Sequence, residues 1–325
     1  MSSKPRFLLS AGLFIALFAA AAALSERGAY GWTLFAILPV IAGALGTWIF
    51  RPETAGRAAR TGAAIGAIGC GLFLFLGLEG LICVLMALPI VVPLSVVGSL
   101  LAYWLARETR PKQPIVIGLL LPVTLFFDIS SKPHVYSVTT SIVVNAPPER
   151  VWKHVVAFPD IAAKPDWLLR TGLAFPVRTR IEGAGAGVRR DCDLSTGTVQ
   201  ERVTAWDEPH VLRFAVTATP PAMREMGLYG PIYPKHLTGY YISKQGQFEL
   251  SPLPGGRTLV VGTSWYQHGL GPAQYWRLWT DTVIHHIHRR VLSHIRTLSE
   301  NNGVFADQWF EPLKSLPNAG APASR

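Results

Sequence analysis

Hydrophobic and polar positions fall into two regimes along this chain. Up to about residue 130 the apolar residues come in long, nearly unbroken runs; beyond it they alternate with polar ones at short spacing. Residues 7–24 and 32–50 are two such runs, and residues 61–106 form a longer one that carries a single charge, Glu79. A helix needs about 20 apolar residues to cross a bilayer, so the long run holds two crossings with Gly77-Leu78-Glu79-Gly80 as the turn between them. Residues 114–127 supply a fifth, shorter segment. The pattern therefore predicts an α-helical membrane anchor of about five transmembrane helices over residues 1–130. Glu79 reads either as an intramembrane carboxylate, a costly and often functional feature, or as a loop residue, which its flanking glycines favour. Pro89 and Pro93 are expected to kink the fourth span.

The second regime reads as an α+β domain over residues 131–300. Residues 135–144 (VYSVTTSIVV) are β-branched and predict a strand. Asn145-Ala-Pro-Pro-Glu then opens a helix, with Asn145 as cap and proline tolerated in the first turn; Val151, Trp152, Val155, Val156 and Phe158 supply its apolar side. A second short helix is expected over 159–170, broken by Pro165. Strands follow at 177–182, 186–195, 198–206, 210–218, 240–252 and 257–267, separated by turn signals such as Thr196-Gly197 and Pro254-Gly255-Gly256. Residues 272–300 form a long amphipathic helix with Trp276, Trp279, Val283, Ile287, Val291 and Leu298 on one stripe. One long helix on a curved antiparallel sheet buries both apolar faces. The tail, 301–325, ends Pro/Ala/Ser-rich and is expected to be disordered from about residue 315.

Charge sharpens the boundary. Only 15% of the chain is charged, against about 25% in soluble proteins, and the deficit lies in the first part. Residues 1–128 hold 9 Lys and Arg against 5 Asp and Glu; the remainder holds 21 against 15. Basic residues also alternate between loops. Lys4 and Arg6 precede the first run, Arg51, Arg57 and Arg60 follow the second, and Arg107, Arg110 and Lys112 follow the fourth, while the first and third loops hold only Arg27. By the positive-inside rule the N-terminus is cytoplasmic. Five crossings then put the C-terminal domain on the non-cytoplasmic side of the inner (plasma) membrane. A rival reading makes residues 1–24 a cleaved signal peptide, with Ala20-Ala21-Ala22 at the cleavage site. The net charge of +10 comes without any Lys/Arg run interleaved with aromatics, so no nucleic acid is expected as partner. Weak attraction to an anionic membrane surface fits better. Of Cys70, Cys83 and Cys192 only the last lies in the second domain, so no disulfide forms within it, and no CxxC spacing occurs.

The order strand, two helices, six strands and long helix resembles the START/Bet v 1-like superfamily, also called the SRPBCC or polyketide cyclase fold. The residues that carry the resemblance are SIVVNAPPERVWKHVVAFPDI at 141–161, the meander of strands, GGRTLVVGTSWY at 255–266, and YWRLWTDTVIHHIHRRVLSHI at 275–295. It covers about half of the chain, and the fusion to a multi-pass anchor resembles a bacterial membrane subgroup of the superfamily. The resemblance implies a helix-grip domain with a hydrophobic ligand held between the sheet and the C-terminal helix. It does not choose a function, since the superfamily includes lipid carriers, receptors, cyclases and oxygenase domains.

Strand parity adds a candidate site. With Val188, Cys192, Val199 and Val203 facing inward, Arg190 and Glu201 face inward too. A Thr196-Gly197 turn sets Arg190 opposite Val203 and Cys192 opposite Glu201, leaving the charges as diagonal neighbours. They read either as a polar clamp for a ligand headgroup or as a self-satisfied ion pair at the cavity rim. The segment 219–238 is long and proline-rich with apolar Met223, Met226, Leu228, Tyr229, Ile232 and Tyr233. It reads as a lid, as a loop dipping into the bilayer surface, or as a loop packed on its own sheet. Residues taken as ligand-binding are Arg190, Glu201, Phe214, Met226, Tyr229, His236, Phe248 and Tyr266. His285, His286, His288 and His294 on the last helix are expected in solvated or capping roles. No catalytic residue, metal or cofactor is expected, and nothing in the sequence pairs Glu201, Glu225 or His236 for acid–base work.

Two functions follow from different classes: a membrane-tethered binding module for a lipid or other apolar small molecule, or a cyclase, dehydratase or hydrolase using the same cavity. A convergent acid–base pair in the cavity would separate them. The sequence offers Arg190 and Glu201 instead, which favours binding.

Overall fold

The computed structural model describes residues 3–108, 128 and 134–301. The expected fifth span at 114–127 and the tail lie outside the described residues. Four helices come first: α1 (Ser3–Glu26), α2 (a π-helical turn Thr33–Ile37 running into Leu38–Phe50), α3 (Ala55–Phe75) and α4 (Leu81–Glu108). Among the described residues three helical stretches are long and apolar enough to cross a membrane, Thr33–Phe50, Ala55–Phe75 and Leu81–Arg107. The count of five is not supported: the apolar part of α1, Ala11–Glu26, is shorter.

The bundle packs through small residues. A methyl group added at Gly43 would fall on the Ser95 carbonyl, at Gly98 on that of Val40, and at Gly62 on α4 backbone. Backbones so close leave polar groups facing one another: Thr47 Oγ1 lies 2.6 Å from Ser99 Oγ, and that hydroxyl donates to the Ala58 carbonyl at 2.6 Å. Close glycine contacts with hydroxyl bonds between helices are how apolar helices associate where no hydrophobic force separates them from their solvent.

The second domain starts with β1 (Val135–Val144) and α5 (Pro148–Val156). Six longer strands follow, β2 (Pro176–Ile181), β3 (Arg189–Leu194), β4 (Gly197–Asp207), β5 (Val211–Ala218), β8 (Tyr241–Leu253) and β9 (Arg257–His268), with the short pair β6 (Glu225–Gly227) and β7 (Gly230–Ile232) between β5 and β8. The chain then enters α6 (Ala273–Glu300). The seven long strands make one antiparallel sheet in the order β1-β9-β8-β5-β4-β3-β2. One end of the domain is solid: Val144, Val151, Trp152, Val155, Leu212, Val260, Leu292 and Ile295 join α5, the sheet and the end of α6 in one buried cluster.

Three local expectations are corrected. Asn145 does not cap α5; its backbone N–H and Nδ2 donate to Glu300 Oε1 at 2.8 and 3.0 Å, tying β1 to the end of α6. The expected helix over 159–170 is irregular chain with one 3₁₀ turn, Leu169–Thr171. Prolines 159 and 165 interrupt helical bonding there, and the Arg290 guanidinium binds the Ala163 and Pro176 carbonyls instead, at 2.7 and 2.9 Å. Finally, the α6 stripe holds only in part: Trp276 and Val291 are buried as expected, but Val283 and Ile287 are half-buried, while Ile284, Leu292 and Ile295 beside the stripe are buried. A helix gripped by a curved sheet has a wide buried face, and the predicted stripe covers only part of it.

Candidate functional site

At the open end of the grip, sheet and α6 diverge and enclose a cavity of about 880 Å³. Phe214, Phe248 and Gly262 line it from the sheet, and Val283, Ile287 and Val291 from α6. Its walls do not end with the domain. Leu17 and Phe18 of α1, Leu34 and Leu38 of α2, Ile65 and Phe73 of α3, and Met86 and Ala87 of α4 line the same space. The cavity is thus one overwhelmingly apolar volume that runs from the helix grip into the N-terminal bundle.

The two parts are joined by specific contacts around its rim. Tyr240 donates its hydroxyl proton to the Gly28 carbonyl, Tyr275 to that of Met86, and Gly271 N–H donates to the Tyr30 carbonyl at 2.8 Å. The rings of Phe35 and Trp276 meet edge to face at 4.9 Å. The Asp128 carboxylate accepts from the backbone N–H groups of Trp32 and Thr33 at 2.7 and 2.8 Å.

Arg190 and Glu201 are both buried and pair directly. The register differs from the expected one: Leu194 pairs with Gly197, so Ser195-Thr196 is the turn and Arg190 sits opposite Glu201, with Cys192 opposite Val199. The shift is even, so both side chains keep their inward parity. Arg190 also donates from Nε to the Val156 carbonyl at 3.1 Å and from Nη2 to that of Val155 at 3.4 Å, and stacks over the Phe214 ring at 4.6 Å. All three guanidinium nitrogens thus have protein partners. Burial pushes the Glu201 carboxyl up, and Arg190 pulls it back.

A second polar group stands where bundle and domain meet. Glu79 is in a turn, between α3 and α4, yet it is only 8% exposed. Its Oε1 accepts from Ser25 Oγ and from the Tyr30 hydroxyl, both at 2.7 Å. Beside it lie Cys83, Glu225 and His236. Burial raises the Glu79 carboxyl to about 7, raises that of Glu225, and lowers the His236 imidazole to about 4. Glu79, Cys83 and His236 all line the cavity.

The family model described as polyketide cyclase / dehydrase and lipid transport matches residues 136–300, just over half of the chain. The chain belongs to that family. No curated protein sequence matches it. Among solved structures it is similar to a protein from Nitrosospira multiformis (20% identity, 50% of this chain and 94% of that one, TM-score 0.33). It is also similar to truncated norcoclaurine synthase from Thalictrum flavum (11%, 52% and 96%, TM-score 0.33) and to Aha1 from Colwellia psychrerythraea (14%, 52% and 99%, TM-score 0.30). At these scores the likeness carries nothing beyond the family.

Within this family domain, Arg190, Glu201, Phe214, His236 and Phe248 line the cavity, while three other predicted residues do not. Tyr266 is fully buried beneath it, stacked near Tyr136 and Tyr241, with its hydroxyl donated to Asp281 at 2.5 Å. Met226 and Tyr229 belong to the β6–β7 hairpin, which the sequence reading took as irregular loop, and both are exposed. Their apolar character reflects the hairpin tip, where Tyr229 meets Phe75 of α3 at 6.2 Å. Other residues of the 219–238 segment, Pro220, Met223 and Leu237, do face the cavity. The α6 histidines are tied to the domain rather than solvated. His288 is buried, with Nε2 2.8 Å from Ser264 Oγ, His285 bonds Thr140 at 2.8 Å, and His286 bonds Asp166 at 2.6 Å. What sequence reasoning missed is the junction. Its signals were Glu79, the only charge in a long apolar run, and His236, already among the expected ligand-binding residues; that the two meet was not legible.

Proposed function

We propose that the protein is a membrane-tethered binding module for a lipid or other apolar molecule, which enters its cavity through the helical bundle. The observation that carries this reading is the continuity of the cavity from the helix grip into α1–α4. A soluble carrier needs a mouth toward water; this cavity is walled at one end by helices long and apolar enough to sit in a bilayer. The volume falls in the range of about 300–1,000 Å³ typical of small-molecule sites, and the family description includes lipid transport. The cyclase or dehydratase alternative finds no free group at Arg190 and Glu201, which satisfy each other and backbone carbonyls; its acid–base candidates would be Glu79 and His236, which line the cavity at the junction.

Orientation follows the same reading. Glu79 beside His236, and the Tyr30 carbonyl bonded by Gly271 N–H, put the third and first loops against the domain, whereas Arg107 donates to the Glu53 carbonyl in the second loop at 3.3 Å. Asp128 is bonded at the first loop. Arg107 and Asp128 thus lie at opposite ends of the bundle, and the basic second loop lies at the end away from the domain. Both features favour a cytoplasmic N-terminus and a domain on the non-cytoplasmic side of the membrane.

Gly262 gives the test of binding. A Cβ there meets only Phe248 and Leu292, at 3.6 and 3.8 Å, so a larger side chain grows into the cavity without backbone collision. Native mass spectrometry of the full chain released from nanodiscs should find an apolar adduct on the wild type and none on Gly262→Leu, with both proteins folded. An adduct of equal abundance on the variant, or none on the wild type, would remove the proposal.

A further inference from the structure

Four side chains from three separate stretches of sequence converge where the bundle meets the domain. Glu79 comes from the α3–α4 turn, Cys83 from the first turn of α4, Glu225 from β6, and His236 from the 3₁₀ turn Lys235–Leu237. The Cys83 sulfur lies 2.5 Å from Glu225 Oε1 and 3.0 Å from His236 Nε2, and His236 Nδ1 lies 3.4 Å from Glu79 Oε2. One donor atom each from Glu79, Cys83 and His236 fits within 4.8 Å of the others.

Hydrogen bonding leaves this group incomplete. Glu79 is 8% exposed, Glu225 1% and His236 9%, yet Glu79 Oε2, Glu225 Oε2 and His236 Nδ1 have no hydrogen-bond partner. Buried polar atoms without partners are rare and costly. Among the described residues no Lys or Arg forms an ion pair with either carboxylate. Gly80 adds a second sign of a shaped site: a Cβ there would occupy the position of Glu225 Oε2, so only glycine lets that carboxylate in.

We propose that Glu79, Cys83 and His236, with Glu225 beside the thiol, bind a divalent transition-metal ion, with Zn²⁺ as the best match. One sulfur, one imidazole nitrogen and carboxylate oxygens suit zinc; calcium and magnesium take oxygen ligands alone. Zinc bonds of about 2.0–2.3 Å place tetrahedral ligands roughly 3.3–3.7 Å apart; here the Cys83 sulfur and His236 Nε2 are 3.0 Å apart, and one donor atom from each of the three residues lies within 4.8 Å of the others, so small side-chain rotations bring them to that spacing. A Cys-His-Glu nucleophilic triad would use the same atoms, but it calls for one carboxylate, whereas two buried carboxylates converge here with no Lys or Arg paired to either among the described residues, and a dication would balance both. The ion would clamp bundle to domain at the cavity wall, and this inference holds whatever the cavity carries.

The test uses the full chain in detergent, stripped with chelator and titrated with CoCl₂, with zinc content measured separately by elemental analysis. The expected result is one Co²⁺ per chain with thiolate-to-cobalt charge-transfer absorption. Cys83→Ser should lose that absorption, and His236→Ala should weaken binding at least tenfold. Cys70→Ser and Cys192→Ser, which alter cysteines outside the group, should keep both. Circular dichroism and gel filtration identify any variant that fails to fold; for such a variant Glu225→Gln, which keeps the shape of the side chain, replaces it and should weaken binding. Absence of stoichiometric cobalt in the wild type, or an absorption that survives Cys83→Ser and disappears with Cys70→Ser, overturns the proposal.

Discussion

Glu201→Gln is the sharpest probe of the helix-grip interior. The variant leaves the buried Arg190 guanidinium with only the Val155 and Val156 carbonyls and the Phe214 face as partners. Removing one member of a buried pair costs about 3–5 kcal/mol. At roughly 2–4 °C per kcal/mol for a domain of this size, melting should fall by about 6–20 °C. Arg190→Met behaves differently, because a carboxyl can take up a proton. With its counter-charge gone, burial holds the Glu201 pKa above its unfolded value of about 4.3. The sign follows from linkage: a raised folded pKa means stability that is present below the unfolded value and lost as pH rises through the folded one. Arg190→Met should therefore melt lower at about pH 8 than at about pH 5. Thermal unfolding of the full chain, followed by tryptophan fluorescence, measures all of this. A Glu201→Gln variant that melts like the wild type would refute the buried pair.

Two further outcomes test the fold and the orientation. Ile295 is fully buried whereas Ile287 faces the cavity, so Ile295→Ala should cost about 2–5 kcal/mol and Ile287→Ala less than about 2 in denaturant unfolding; equal costs would mean that α6 is gripped more closely than described. Alkaline phosphatase fused after Arg325 should be active in a bacterial host and a fluorescent protein at the same point dark. The reverse would put the domain on the cytoplasmic side.

The sheet was largely legible because its signals are local. β1 and β9 are β-branched runs bounded by glycine or proline, and the long helix announces itself by period. The errors arose where two local signals compete or where long-range partners decide. At β3–β4, Thr196-Gly197 looks like the turn, yet Ser195-Thr196 takes that place and Gly197 begins β4 with a φ of +150°. Parity survived because an even shift keeps every side chain on its face. At 159–170 the apolar pattern allowed a helix, but Arg290, more than a hundred residues away, holds the carbonyls of an irregular chain.

The junction could not be read locally for a deeper reason. Glu79 looks like a loop residue because it is one, and the glycines that mark the turn mark it correctly. What sequence cannot carry is that Ser25, Tyr30 and His236 surround this turn, since they come from the end of α1, from the first loop and from a segment more than 150 residues later. The same holds for the cavity: α6 and the sheet predict a space between themselves, but its continuation between α1 and α4 depends on how two units dock. A buried carboxylate in a turn beside the domain, and a cavity that crosses the same boundary, make the junction the part of the molecule where substitutions in the bundle should reach the helix grip.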